Sequence, residues 1–241
     1  MTKVTEVLDR AARACSVTTP SSWITDTTVA ITELRDDFLQ ETIAELQKRI
    51  DWSSPIGKQT TITGTGDQNY NLPADFVRLM NDDMAVYETT TTRRAGVPVN
   101  SDGAWTYLTD MGTAGGSRYY RVKGYEGNYT IDLYREPAAS DLITVHYVSN
   151  IWMVSSAGVE GKVFSDADDV VLYPRRILEL GVIWRFRKRK GLPFEDILAE
   201  YEGWIATEVN RMRGRGPINF GAAPAPRNPM AVPVPDFIPS S

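Results

Sequence analysis

Residues Thr27–Thr63, TTVAITELRDDFLQETIAELQKRIDWSSPIGKQTTIT, hold the change of pattern that decides the fold. Up to Ile50 the apolar residues Ile31, Leu34, Phe38, Ile43, Leu46 and Ile50 recur at near-3.6 spacing. Such a stripe buries one face and leaves the other charged, which predicts a helix over Thr27–Ile50. Asp26 or a neighbouring threonine can cap its start. Pro55 and Gly57 end the helical region. From Lys58 to about Asn150 threonine, tyrosine and valine dominate and glycines punctuate, so the chain turns from helix to strand within a few residues.

Working outward, strands are predicted at Gln59–Thr63, Tyr70–Leu72, Met84–Thr89, Trp105–Thr109, Arg118–Val122, Thr130–Tyr134 and Leu142–Val148. Gly64-Thr65-Gly66-Asp67 and Tyr125-Glu126-Gly127-Asn128 read as hairpin turns. Short strands at this spacing suggest a small antiparallel sandwich or barrel. Helical periodicity also marks both ends of the chain. A short helix is expected over Val4–Ala14. Another follows Pro174, with Ile177, Leu180, Gly181 and Trp184 on one face. The clearest stripe is the last one: Phe194, Ile197, Leu198, Tyr201, Ile205, Val209 and Met212, closed by Gly214 and Gly216. The expected class is α+β: a helical bundle with an inserted antiparallel β-sandwich or barrel-like module. The divisions are 1–57 (N-terminal helices), 58–152 (β module), 165–215 (C-terminal helices) and 216–241 (arm).

The arm, GPINFGAAPAPRNPMAVPVPDFIPSS, carries seven of the chain's 14 prolines and only two charges, Arg227 and Asp236. Proline excludes regular helix and central strand. A solvating tail would be polar, whereas this one keeps Ile218, Phe220, Met230, Val232, Val234, Phe237 and Ile238. It reads as an extended segment whose apolar side chains dock on something else.

Composition narrows function. A chain of 241 residues that is 42% hydrophobic and 24% charged has the profile of a globular protein. The net charge of -5 argues against a nucleic-acid coat. One cysteine, Cys15, leaves no disulfide within the chain, and one histidine, His146, leaves no histidine-rich metal site. No apolar run approaches the ~18 residues of a membrane span, and no signal-peptide pattern opens the chain. His146 alternates with Ile143, Val145 and Tyr147 and faces away from them, with no nucleophile elbow to serve. Asp166, Asp168 and Asp169 lack the glycine and terminal glutamate of a calcium loop, and fit better as acids near a helix N-terminus. Gly112–Gly116 has no lysine to hold a phosphate and reads as a strand connection. The basic run Arg185, Arg187, Lys188, Arg189 and Lys190 suits a helix C-terminus, or else a DNA or acidic partner patch. No catalytic residue, metal ligand or cofactor site is assigned.

Several phrases in order resemble the head-to-tail adaptor (connector) proteins of tailed bacteriophages. They are Trp23 before a long helix closing on Arg49-Ile50-Asp51-Trp52, then Tyr70-Asn71-Leu72-Pro73-Ala74-Asp75-Phe76-Val77-Arg78-Leu79, and Tyr134-Arg135-Glu136-Pro137-Ala138. After these come Tyr147-Val148-Ser149-Asn150-Ile151-Trp152, Leu180–Phe186 with Trp184, and Lys190-Gly191-Leu192-Pro193-Phe194. Trp52, Leu72, Pro73, Asp75, Phe76, Trp152 and Trp184 are the structural positions of this resemblance. It implies a non-enzymatic virion protein, a dodecameric ring between the capsid portal and tail or stopper components. Double-stranded DNA would pass through it without being read. The arm, through Pro217, Phe220, Met230, Val232, Val234, Phe237 and Ile238, would reach onto the portal. Ring contacts are expected on the β module and on aromatics such as Trp105, Tyr119 and Tyr125. Two other readings stand beside it: a virion-associated cell-wall hydrolase, and a double-stranded-DNA-binding module built on the Arg185–Lys190 run.

Overall fold

The computed structural model describes residues 2–81, 84–90, 94–112 and 117–212. Helix α1 (Val4–Ala14) turns Val4, Val7, Leu8, Ala11 and Ala12 inward. Val29–Thr32, a π-helical stretch Glu33–Phe38 and Leu39–Arg49 run on without a break and form α2. The predicted stripe is the buried one: Ile31, Leu34, Phe38, Ile43, Leu46 and Ile50 are each at most 3% exposed. Arg35 fastens the preceding loop to α2, its Nη1 donating to the carbonyls of Trp23 and Ile24 at 2.5 and 3.1 Å.

Eleven strands are described. They are β1 (Gly57–Thr63), β2 (Asn69–Asn71), β3 (Phe76–Leu79), β4 (Val86–Glu88), β5 (Val97–Pro98), β6 (Tyr119–Tyr125), β7 (Asn128–Tyr134), β8 (Leu142–Ser149), β9 (Met153–Val154), β10 (Glu160–Gly161) and β11 (Val170–Val171). Helix α3 (Asp102–Met111) interrupts them, and α4 (Arg175–Arg189) and α5 (Glu195–Met212) follow. One sheet has the order β1-β8-β3 with β4 also on β8, a second β2-β7-β6-β5, and a third β10-β9-β11. The chain is therefore α+β as expected, but none of these sheets closes into a barrel.

Two expectations within the β region are corrected. Gly64–Asp67 does not join a hairpin, because β1 pairs with β8 and β2 with β7, in different sheets. Trp105–Thr109 is not a strand. Ser101 caps α3, its Oγ accepting from the Ala104 amide at 3.1 Å, and Trp105 and Leu108 lie one helical turn apart on the buried side. The aromatic, β-branched composition pointed to strand, and the cap with its inward pair decided otherwise. Tyr125–Asn128 does form the predicted hairpin between β6 and β7, with Gly127 at φ +80°.

Apolar side chains gather in two clusters. One joins α1, α2, α4 and α5 with Trp52, Ile56, Val148, Trp152, Met153, Val171 and Tyr173. The other takes Ile62, Leu72, Phe76, Val86, Ile143, Val145 and Tyr147 together with Tyr120, Ile131 and Leu133. The first two sheets thus share one apolar cluster, and β8 contributes to both clusters.

Candidate functional site

Of the singled-out residues, the structure places Trp52, Trp152 and the Leu72–Phe76 motif at the seam where helices and sheets meet. Leu72 follows β2 and is buried, and Pro73 starts a turn in which its carbonyl accepts from the Phe76 amide at 3.0 Å. Phe76 enters the sheet cluster, 5.1 Å from the Tyr129 ring and 5.6 Å from that of Tyr147. Asp75 accepts from the Tyr147 hydroxyl at 3.1 Å and lies 3.2 Å from the Lys58 ammonium. Burial pushes the Tyr147 hydroxyl up, and the Asp75 charge pushes it further the same way. Burial alone would lower Lys58, but its bonds to Glu160 and Asp75 outweigh this and raise it. Trp52 donates Nε1 to the Leu46 carbonyl at 3.0 Å and meets Tyr173 edge-on, and Trp152 donates Nε1 to the Lys162 carbonyl at 2.7 Å.

Arg78, quoted in the motif but given no role by sequence, ties the seam. Its Nε donates to the Gln47 carbonyl and Nη2 to the Ile50 carbonyl, both at 2.9 Å, while Nη1 pairs with Asp51 at 2.6 Å. A strand residue thus satisfies the open carbonyls at the end of α2. Beside it a groove of about 630 Å³ runs between α2 and the β6–β7 turn, with Ala44, Lys48, Arg78, Glu126, Tyr129 and Trp152 among its walls.

The basic run on α4 starts buried at Arg185 and ends exposed at Lys188, Arg189 and Lys190, with most of its cations beside carboxylates of α2. Arg185, 9% exposed, pairs with Glu45 and, at 3.4 Å, with Glu41, and donates Nη1 to Thr42 Oγ1 and the Gly181 carbonyl, both at 3.0 Å. Arg189 lies within 3.8 Å of Glu33 and Asp37, and Lys190 lies 2.8 Å from Glu33. Arg187 donates to the Ala14 carbonyl at the end of α1, and Lys188 sits over the Trp184 ring. Glu33, Asp37, Glu41 and Glu45 recur every four residues along α2 and face these cations. That spacing was legible in the sequence and was the missed signal. Burial would raise the Glu45 carboxyl, but hydrogen bonds from Arg49, Arg185 and Tyr201 outweigh it and hold it below the ordinary range.

The acids at 166–169 organise a loop over α1, not over the helix that follows them. The Asp169 carbonyl accepts from the Val4 amide at 2.9 Å, and Asp168 pairs with Lys3 at 2.5 Å. His146 is half-buried and stacks on Tyr87 at 5.7 Å. Among the described residues no group of three or more His, Cys, Asp and Glu could hold a metal, and no helix is long and apolar enough to cross a membrane.

The family model described as SU10 adaptor protein matches residues 2–216. The chain belongs to the SU10 adaptor protein family.

This is a family of phage head-to-tail adaptors, so the protein is a phage structural adaptor, in keeping with the resemblance carried by its motifs. No curated protein matches the chain. In this adaptor the matched residues take in both apolar clusters and end where the proline-rich arm begins. The arm residues Pro217, Phe220, Met230, Val232, Val234, Phe237 and Ile238 lie outside the described residues, as do Asp82, Asp83 and most of Gly112–Gly116. Of the aromatics expected at ring contacts, Trp105 is instead 5% exposed under the Arg121 guanidinium, and Tyr125 is 69% exposed at the hairpin tip. Tyr107 and Met111, on the outer side of α3, were not singled out by sequence and are 66% and 69% exposed.

Proposed function

We propose that this adaptor forms a closed ring, dodecameric as the resemblance implies, between the portal vertex of a phage head and the tail. The genome passes through its channel without base readout, and the protein resides in the virion. The observation that carries this is the family match over residues 2–216. Two features support it. Large apolar side chains stand exposed at Tyr107, Met111 and Tyr125, as side-to-side contacts in a ring require. Arg185, Arg189 and Lys190 are engaged with the carboxylates of α2, which favours a scaffold over a module that grips phosphates. The arm is proposed to attach the ring to the portal, since proline limits the entropy lost when an extended segment docks.

Mass measurement and electron micrographs of the purified full chain, alone and with portal rings, test this. Closed rings that cap the portal are expected, with attachment weakened when Pro217–Ser241 is removed. Particles that stay monomeric in the presence of portal would refute the ring. Undiminished attachment of the shortened chain would refute the role of the arm.

A further inference from the structure

The open side of β1 points to a binding site for a segment of this same chain. The sheet order is β1-β8-β3, so β1 is an edge strand. Its register fixes which groups face outward. The Ile56 carbonyl accepts from the Ser149 amide at 2.9 Å, and the Gly64 amide donates to the Asp141 carbonyl at 2.8 Å. Even-numbered residues therefore turn to β8, and Gln59, Thr61 and Thr63 turn their N–H and C=O groups away from the sheet. All three residues are exposed, and none of these backbone groups meets a partner among the described residues.

Edges of this kind invite another strand unless they are short or blunted by charge or proline. The other strands at sheet edges run two to four residues, and Pro98 sits in one of them. β1 runs seven residues, Gly57–Thr63, without proline, and its one charge, Lys58, is turned to Asp75 and Glu160.

The sequence contains a segment suited to such an edge. Val232-Pro233-Val234-Pro235-Asp236 alternates residues that carry an N–H with residues that do not. In an extended chain residues two apart turn their amides to the same side. Val232, Val234 and Asp236 thus offer donors on one side, and the prolines offer none on the other. Donors at two-residue spacing match Gln59, Thr61 and Thr63, and the side left outward cannot extend the sheet.

We propose that Val232–Asp236 adds to β1 of its own chain as an antiparallel strand, with Val234 across from Thr61. The end of α5 favours the same chain over a second copy. Arg211 and Met212 line a pocket of about 320 Å³ with Trp52, Pro55 and Ile56, the residues that lead into β1. Residues 213–231 can span about 60 Å when extended, against a β1 length of about 20 Å. A tether of this length holds the segment near millimolar effective concentration, of order 1 mM. The antiparallel direction carries Ile238 to the groove of about 490 Å³ walled by Ser54, Pro55, Met80 and His146. The edge is then covered before assembly, and portal attachment draws on a strap that peels away from it. This proposal concerns the unassembled chain and is tested without portal, so it can fail while the ring reading stands.

Amide exchange on the full chain and on one ending at Gly216 tests it. The Gln59, Thr61 and Thr63 amides should exchange about tenfold or more slowly in the full chain, while the even-numbered amides match in both. Val234→Pro removes the middle donor without touching β1 and should abolish the difference. The non-hydrogen-bonded pairs of an antiparallel ladder bring side chains closest and suit a disulfide, so Thr60→Cys with Pro235→Cys in one chain should close within that chain at any dilution. Equal exchange in both chains, a disulfide formed only between chains, or no disulfide would each overturn the proposal.

Discussion

Gly181→Ala is the most informative single change, because it acts where α2 and α4 touch. A methyl on residue 181 would lie 2.3 Å from Thr42 Cγ2, 2.9 Å from Thr42 Oγ1 and 3.2 Å from Thr42 Cβ. Thr42 is fully buried and β-branched, so its χ1 choices are few. It is also held by chemistry, donating to the Phe38 carbonyl at 2.7 Å and accepting from Arg185 at 3.0 Å. Forcing the helices apart costs about 1–3 kcal/mol. Losing the bond from the Arg185 cation costs about 1.5–3 kcal/mol. Alanine returns about 1 kcal/mol through its helix propensity. The expected net loss is about 3 kcal/mol, which in a chain of this size lowers the melting temperature by roughly 6–12 °C. Urea unfolding followed by tryptophan fluorescence measures it. Thr42→Ala in the same chain removes the obstructing methyl, so the pair should be less destabilised than the sum of the single changes by about 1–2 kcal/mol. A Gly181→Ala protein as stable as the parent, or strictly additive effects in the cycle, would refute the contact as the cause.

Two further outcomes concern the half-buried Glu45 and the buried Cys15. The Glu45 carboxyl is held below its ordinary range in the fold, so its contribution is complete above the unfolded-state pKa of about 4.3 and is lost as pH falls through the lower folded value. Glu45→Gln should therefore flatten the acid side of a urea-midpoint profile between pH 7 and 3, at a loss near neutrality of about 1–2 kcal/mol, discounted for the partial exposure of the pair. An unchanged acid side would show that the Arg185–Glu45 pair does not support the fold. Burial pushes the Cys15 thiol up to about 11, so a disulfide-exchange reagent at pH 8 should leave it unreacted in the native chain and titrate it once the chain is unfolded. Reaction in the native chain at the rate of a small thiol would contradict its burial.

Much of the architecture was legible because it is written locally. The stripe Ile31–Ile50 spelled α2, the stripe ending at Met212 spelled α5, and Glu126-Gly127 spelled a tight turn between β6 and β7. The misreading of Trp105–Thr109 is also local. Its residue types favour strand, and the contrary signals were Ser101 as a cap and the Trp105–Leu108 spacing. For the seam the residues were recognised but not their work. Phe76 and Trp152 were read as structural positions of the resemblance, whereas nothing in the motif showed Arg78 reaching the carbonyls that close α2. The basic run was visible as a run, yet its partners lie on another helix, far away in the chain.

From its own order of residues the chain determined its class, the positions of its long helices, the proline-bearing arm and the family it belongs to, because helical period, turn chemistry and ordered motifs are contained within short windows. Only the tertiary structure decided that β1 leaves its sequence neighbour β2 for β8, that Gly64–Asp67 crosses between sheets, and that the cations of α4 meet the carboxylates of α2. The free energy of closing a loop changes slowly with its length, so a strand is not bound to pair with the next one. Which partner it takes is settled by the apolar surfaces that can be buried together.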